Sequence, residues 1–126
     1  MSCYKKPTVE DPGYVDRTAF DAISKTIGSD FLAEFLDKVV LDFETTRNGL
    51  AKAEKAENYA DWRSHSHILI SVAGAIGATG LQQLAQDLNA AARALDKEQA
   101  QPLNLLCIRG ISTVIQFLNN EKQASE

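Results

Sequence analysis

The amino-acid sequence predicts an all-α chain, folded as an antiparallel up-down four-helix bundle with an additional short N-terminal helix. Three observations carry that prediction. Apolar residues recur at steps of three and four through four long segments, the pattern of a helix burying one stripe. No segment alternates with period two for long enough to make a strand, and no Asn-Gly or Asp-Gly pair separates two β-branched runs; Asn48-Gly49 lies inside a helical pattern. The connections are short, which makes successive helices antiparallel neighbours.

Residues 1–15 contain Pro7, Pro12 and Gly13 without a sustained period and read as a tail or loosely docked arm; residues 16–121 make the bundle domain. Asp16 is a fitting N-cap for a short helix bearing Phe20, Ile23 and Ile27, and Gly28 suits its end. Ser29 is the expected cap of the second helix. Its Phe31, Leu32, Phe35, Leu36, Val39, Val40, Phe43 and Leu50 step by three and four as far as about Ala56, with Glu34, Asp37, Lys38 and Asp42 between them. Asn58 offers a cap for a third helix that Gly77 ends, and Thr79 a cap for a fourth. The fourth presents Leu81, Leu84, Ala85, Leu88, Ala92 and Leu95 inward. A polar stretch, 96–101, leads to Pro102 in the first turn of the last helix, whose expected inner stripe is Leu105, Ile108, Ile111, Ile115 and Leu118. Gly110 weakens that helix locally, and beyond Asn119 the polar chain is expected to fray.

At 126 residues the chain can build one hydrophobic core, and 44% hydrophobic with 24% charged residues is ordinary for a globular domain. No apolar run approaches the roughly 20 residues that cross a bilayer, and the first residues lack the apolar stretch of a secretory signal. Cys3 and Cys107 make no metal spacing and read as free thiols in a reducing cytoplasm. The net charge is −4 with no basic cluster, which argues against nucleic acid and against an anionic membrane surface. A protein partner or a small ligand remains.

The third helix carries the candidate chemistry. At about 100° per residue, Trp62, His65, Leu69, Val72 and Ile76 fall on a stripe that reads as core. His67 projects from the opposite side, with Arg63, Ser64, Ile70, Ser71, Gly74 and Ala78 around it at offsets of three, four, seven and eleven. An imidazole on a helix face cleared of bulk can be approached closely by another protein.

His67, Leu69, Ala73, Gly77, Ala78 and Leu81, followed by Leu84, Ala85 and Leu88, resemble the pattern around the reactive histidine of histidine phosphotransfer domains, the small helical bundles of two-component phosphorelays. The long helix before Asn58 and Tyr59 also matches that family's arrangement, so the similarity covers nearly the whole chain. The histidine with Gly77-Ala78 at its set distance is the discriminating part. Two positions depart: the family's lysine three residues after the histidine is Ile70, and its glycine four residues after is Ser71. Arg63, one turn before His67, is placed to restore a cation from the other end.

The resemblance implies that His67 accepts a phosphoryl group from a receiver-domain aspartyl-phosphate and passes it to another receiver. The chain would then be a phosphocarrier without kinase activity. A histidine side chain near neutral pH presents an unprotonated, nucleophilic ring nitrogen, and phosphoryl transfer needs positioning and charge stabilisation more than covalent help. The chain has no acidic cluster beside His67 and no nucleotide loop, so no cofactor is expected on it; Mg²⁺ is expected on the partner receiver. The partners implied are a response-regulator receiver or a hybrid sensor kinase, met by a cytoplasmic monomer. Ile70 is expected to be exposed and to pack into the receiver.

Other constellations are weaker. His65 and His67 point about 160° apart on a helix and cannot share an ion, so no metal site is expected, and His65 reads as a half-buried, hydrogen-bonded neighbour of Trp62. Gly74, Gly77 and Gly80 follow helical rather than strand residues and suit helix packing and a turn better than a phosphate loop. Ser64, Ser66 and Ser71 lack a carboxylate to complete a triad. Gln82, Gln83 and Gln86 read as a solvated face from which one could reach towards His67. Two other functions stay open: a non-phosphorylated scaffold or inhibitory module docking a receiver or kinase, and a helical oligomerisation domain.

Overall fold

The structure is a computed structural model that describes residues 13–125, and every regular element among them is helical. The order is α1 (Arg17–Ile27), α2 (Ser29–Ala56), α3 (Tyr59–Ala75), α4 (Thr79–Arg93) and α5 (Lys97–Ser125). Helix α2 packs on α3 and α5, α4 packs on the same two, and α1 leans on α2. The helices share one core, in which Phe20, Leu36, Phe43, Leu50, Trp62, Leu69, Leu81, Leu88, Ile111 and Leu118 are buried. No helix among the described residues is long and apolar enough to cross a membrane.

Local chemistry sets the ends. The Asp16 carboxylate accepts the Ala19 N–H at 3.2 Å, and Gly28 closes α1 at φ 88°. Phe20 is buried edge-on against Phe117, with ring centroids 5.0 Å apart. The Arg17 guanidinium lies over both rings and pairs with Glu121 at 2.7 Å, whose hydrogen bond raises the arginine pKa. Gly77 ends α3 in the left-handed region at φ 75°, and the Ala78 N–H returns to the Ala73 carbonyl at 2.9 Å. A Cβ at Gly77 would stand 2.9 Å from Ala19 Cβ, so the turn also needs glycine for close packing.

Several expectations are corrected. Ser29 and Thr79 are the first residues of their helices; the capping positions are Gly28 and Ala78, without a side-chain bond. Phe31 is 65% exposed and Leu95 64% exposed, so neither joins the core. Leu95 lies past the end of α4 at φ 56°, with its N–H on the Ala92 carbonyl and that of Asp96 on Ala91, a helix stop built without glycine. The polar stretch after it is already helical: Asp96 accepts from the Gln99 N–H, and Pro102 sits inside α5 rather than in its first turn.

The buried stripe of α5 is Ala100, Asn104, Cys107, Ile111, Val114 and Leu118, rotated from the predicted one. Leu105 is exposed and Ile108 and Ile115 are half-buried. The small and polar residues face inward because α2 and α4 come close there; Asn104 Nδ2 donates to the Leu50 carbonyl at 3.1 Å. Nor does the chain fray at Asn119: α5 continues to Ser125, and Glu121 and Lys122 pair with Arg17 and Asp37.

Most of the expected tail, 1–12, lies outside the described residues, but its last part is docked. Tyr14 is buried, its carbonyl accepts the Gly80 N–H at 3.0 Å, and the Asp16 N–H reaches the Gly77 carbonyl at 2.8 Å. Gly110, expected only to weaken α5, makes room: a Cβ there would meet Leu81 Cδ1 at 2.9 Å and the Tyr14 ring at 3.3 Å.

Candidate functional site

Helix α3 begins where Asn58 accepts the Asp61 N–H at 3.2 Å. Its buried positions are Trp62, Ser66, Leu69 and Ala73, stepping 4-3-4. His67 follows a fully buried residue by about 100° and stands about 160° from Leu69, which turns it to solvent. The predicted stripe was off by part of a turn. His65 and Val72 lie on its flank, half-buried, and Ser66 takes the central position.

The two flanks of the exposed arc differ. Towards α2, the His65 ring lies over Gly49, where a Cβ would stand 2.6 Å from both ring nitrogens. Among the described residues His65 makes no hydrogen bond, and this contact accounts for its place. Towards α4, two side-chain amides grip the α3 backbone on either side of His67. Asn89 Nδ2 donates to the Arg63 carbonyl at 3.1 Å and to Ser66 Oγ at 3.0 Å, and Ser66 Oγ donates to the same carbonyl at 3.1 Å. Gln82 Nε2 donates to the Ile70 carbonyl at 3.1 Å. Gln82 therefore bonds the helix of His67, while Gln83 bonds Asp87 on its own helix.

This geometry sorts the expected site residues. Arg63, Ser64 and Ser71 are exposed beside His67. Ile70 is half-buried against the core instead of standing free in the lysine's place. Gly74 is half-buried under Gln82, whose Nε2 would be 2.5 Å from a Cβ there, so this glycine clears space for α4 and not for a visitor. Ala78 is 0% exposed and precedes α4, so it cannot line a docking surface. The choice of Ala78 carried the wheel past Gly77, where the helix was expected to end, and α3 stops at Ala75.

One residue was missed. Ile68 is 44% exposed, on the side of His67 away from α4, in the open arc with Ser64, Ser71 and Ala75. Its offset of one from the histidine places it about 100° round, outside the three-and-four spacing used to choose neighbours.

Two guanidinium groups are tied to the turn before His67: Arg63 stands on that turn, and Arg93 of α4 donates from Nε at 2.8 Å to Asn89 Oδ1, the amide that also bonds the Arg63 carbonyl. Neither makes a salt bridge among the described residues. Among those residues no three His, Cys, Asp or Glu side chains gather as a metal set. Cys107 is buried and burial pushes its thiol up to about 12, so it stays protonated and is no competing nucleophile. No protein family model, curated protein or solved structure matches the chain.

Proposed function

We propose that the chain is a histidine phosphotransfer protein, an intermediate in a multistep phosphorelay rather than a kinase. The observation that carries the reading is the exposure of His67 on a helix whose opposite side is buried. Support comes from the bonds that α4 makes to the Arg63 and Ile70 carbonyls, one turn either side of His67. They hold the backbone beneath the nucleophile, and a fixed nucleophile is what in-line transfer requires.

In this reading the lone pair of His67 Nε2, the ring nitrogen farthest from the backbone, forms an N–P bond as the P–O bond to the partner's aspartate breaks. The electron pair of that bond leaves on the carboxylate. The reverse step at a second receiver returns the group to an aspartate. Mg²⁺ belongs to the receiver, and this chain's part is to present, orient and release. The receiver covers His67, Ser64, Ser71 and Ile68, with Ile70 contributing only the edge that remains exposed. The same reading takes the ring of α2 to α5 as an antiparallel up-down bundle. Its support is that Glu57, just past the end of α2, and Leu50 and Asp37 within it meet Lys97, Asn104 and Lys122 of α5 in reversed order. A cytoplasmic monomer fits such a carrier.

A second reading keeps the docking and drops the chemistry: a scaffold that occupies a receiver or kinase. Ile70 in the lysine's place favours it. Incubation with a phosphorylated receiver and Mg²⁺ separates the two. The relay predicts an acid-labile, base-stable label that vanishes in His67→Gln; binding without label leaves the scaffold.

A further inference from the structure

The charge that the chain lacks at Ile70 has a candidate source on another helix. Side chains on a helix lean towards its N-terminus, so the His67 imidazole tilts towards the turn of Arg63 and away from that of Ile70. That turn is where α4 makes its most connected contact. Asn89 donates to the Arg63 carbonyl and to Ser66 Oγ, and with its carbonyl oxygen it accepts from Arg93 Nε at 2.8 Å. One amide therefore fixes the height of α3 against α4 and the position of an arginine. The Nε bond occupies one edge of the guanidinium and leaves the terminal N–H groups to other partners. Arg93 is exposed and makes no salt bridge among the described residues, and the same holds for Arg63. Arg63 thus lies on the side towards which the imidazole leans and Arg93 is linked to that turn through Asn89, whereas Ile68, Ile70 and Ser71 offer no cation on the other.

We propose that Arg93, held by Asn89, is a second cation of the phosphoryl site, which acts with Arg63 on the oxygens of a phosphoryl group carried by His67. Asn89 is the positioning residue. The inference rests on the phosphotransfer reading and deepens it: charge stabilisation comes from α4 and from the N-terminal side of the histidine. A planar guanidinium suits phosphoryl oxygens through paired N–H bonds.

The test uses the full chain and phosphoramidate, a small donor that needs no receiver. The N–P bond forms at His67 Nε2 as the donor's own P–N bond breaks, and ammonia departs with the proton that the ring gives up. Arg93→Ala is expected to slow labelling of His67 about tenfold, an exposed arginine contributing less than a buried oxyanion donor. Arg93→Lys, which returns the charge without the paired N–H bonds or the Nε bond to Asn89, should recover part of the rate, which a purely structural role would not. Asn89→Ala should slow labelling too, and the loss in Asn89→Ala/Arg93→Ala should be smaller than the two single losses combined. Arg109→Ala, which removes an exposed cation of α5, should label at the wild-type rate. The deficit of Arg93→Ala should shrink as salt rises. Wild-type labelling by Arg93→Ala, or an equal loss in Arg109→Ala, would overturn the inference while leaving the carrier reading intact. A wild-type chain that takes no label from phosphoramidate or from a phosphorylated receiver overturns both.

Discussion

Replacing Gly49 by alanine should destabilise this protein, although the residue sits in the middle of a helix where that exchange ordinarily helps. Alanine is favoured over glycine in a helix interior by about 1 kcal/mol. Against that, the new Cβ would stand 2.6 Å from both nitrogens of the His65 ring. The ring is half-buried and can swing outward, but only by giving up its packing over α2. Overpacking of this kind costs about 1–3 kcal/mol, so the net change is a loss of about 0–2 kcal/mol. In a His65→Ala background the obstacle is gone, and the same exchange should stabilise by about 1 kcal/mol. The coupling between the two positions is therefore about 1–3 kcal/mol, measurable as a double-mutant cycle in urea unfolding at constant m-value. Equal stabilisation of both backgrounds by Gly49→Ala would refute the placement of His65 over Gly49, and with it the orientation of α3 that turns His67 to solvent.

Three further outcomes follow from the same geometry. Leu95→Gly should raise stability by about 1 kcal/mol in urea unfolding, because Leu95 is exposed and held at φ 56°, a conformation that costs an L-residue about 1–2 kcal/mol; no gain would mean its side chain contributes packing. The buried Cys107 thiol keeps its proton to about 12 in the folded chain against 9.0 for a free thiol, so above pH 9.0 the unfolded chain binds fewer protons and stability falls as pH rises. Cys107→Ala should flatten that alkaline slope by up to about 1.4 kcal/mol per pH unit, and unchanged slopes would place the thiol in contact with water. Ile68→Ala should weaken binding to a cognate receiver several-fold, by about 1 kcal/mol, and more than Ile70→Ala does; a larger effect at Ile70 would return the docking surface to the α4 side.

The helices were legible because their apolar spacing is a local property: the stretches around Phe20, Phe43, Trp62, Leu84 and Ile111 all form helices. Glycine at positive φ marked the ends at Gly28 and Gly77 for the same reason. What failed depends on tertiary contact. The α5 stripe was read from its largest aliphatic residues, yet the space between helices admitted Ala100, Asn104 and Cys107. Tyr14 looked like part of a tail because nothing local reveals the gap at Gly110 that receives it.

The site divides along the same line. His67 opposite the core followed from the wheel alone, and Arg63, Ser64 and Ser71 came with it. Ala78 was misplaced because the wheel was carried past Gly77, the residue that ends the helix. Gly74 was read as open surface because Gln82 belongs to another helix. Ile68 was overlooked for its spacing alone, whereas Asn89 enters through bonds across 23 to 26 positions of sequence and Arg93 only through Asn89, so neither offered a pattern to read.

The most direct test of the central claim is transfer out of the histidine. The chain is phosphorylated, freed of donor, and mixed with an unphosphorylated receiver and Mg²⁺, and the modified residue on each protein is mapped by mass spectrometry at alkaline pH. The account predicts phosphate on His67 before mixing and its loss from His67 as the receiver aspartate gains it. Phosphate at any other residue of this chain, or a label on His67 that no receiver can draw off, would contradict it.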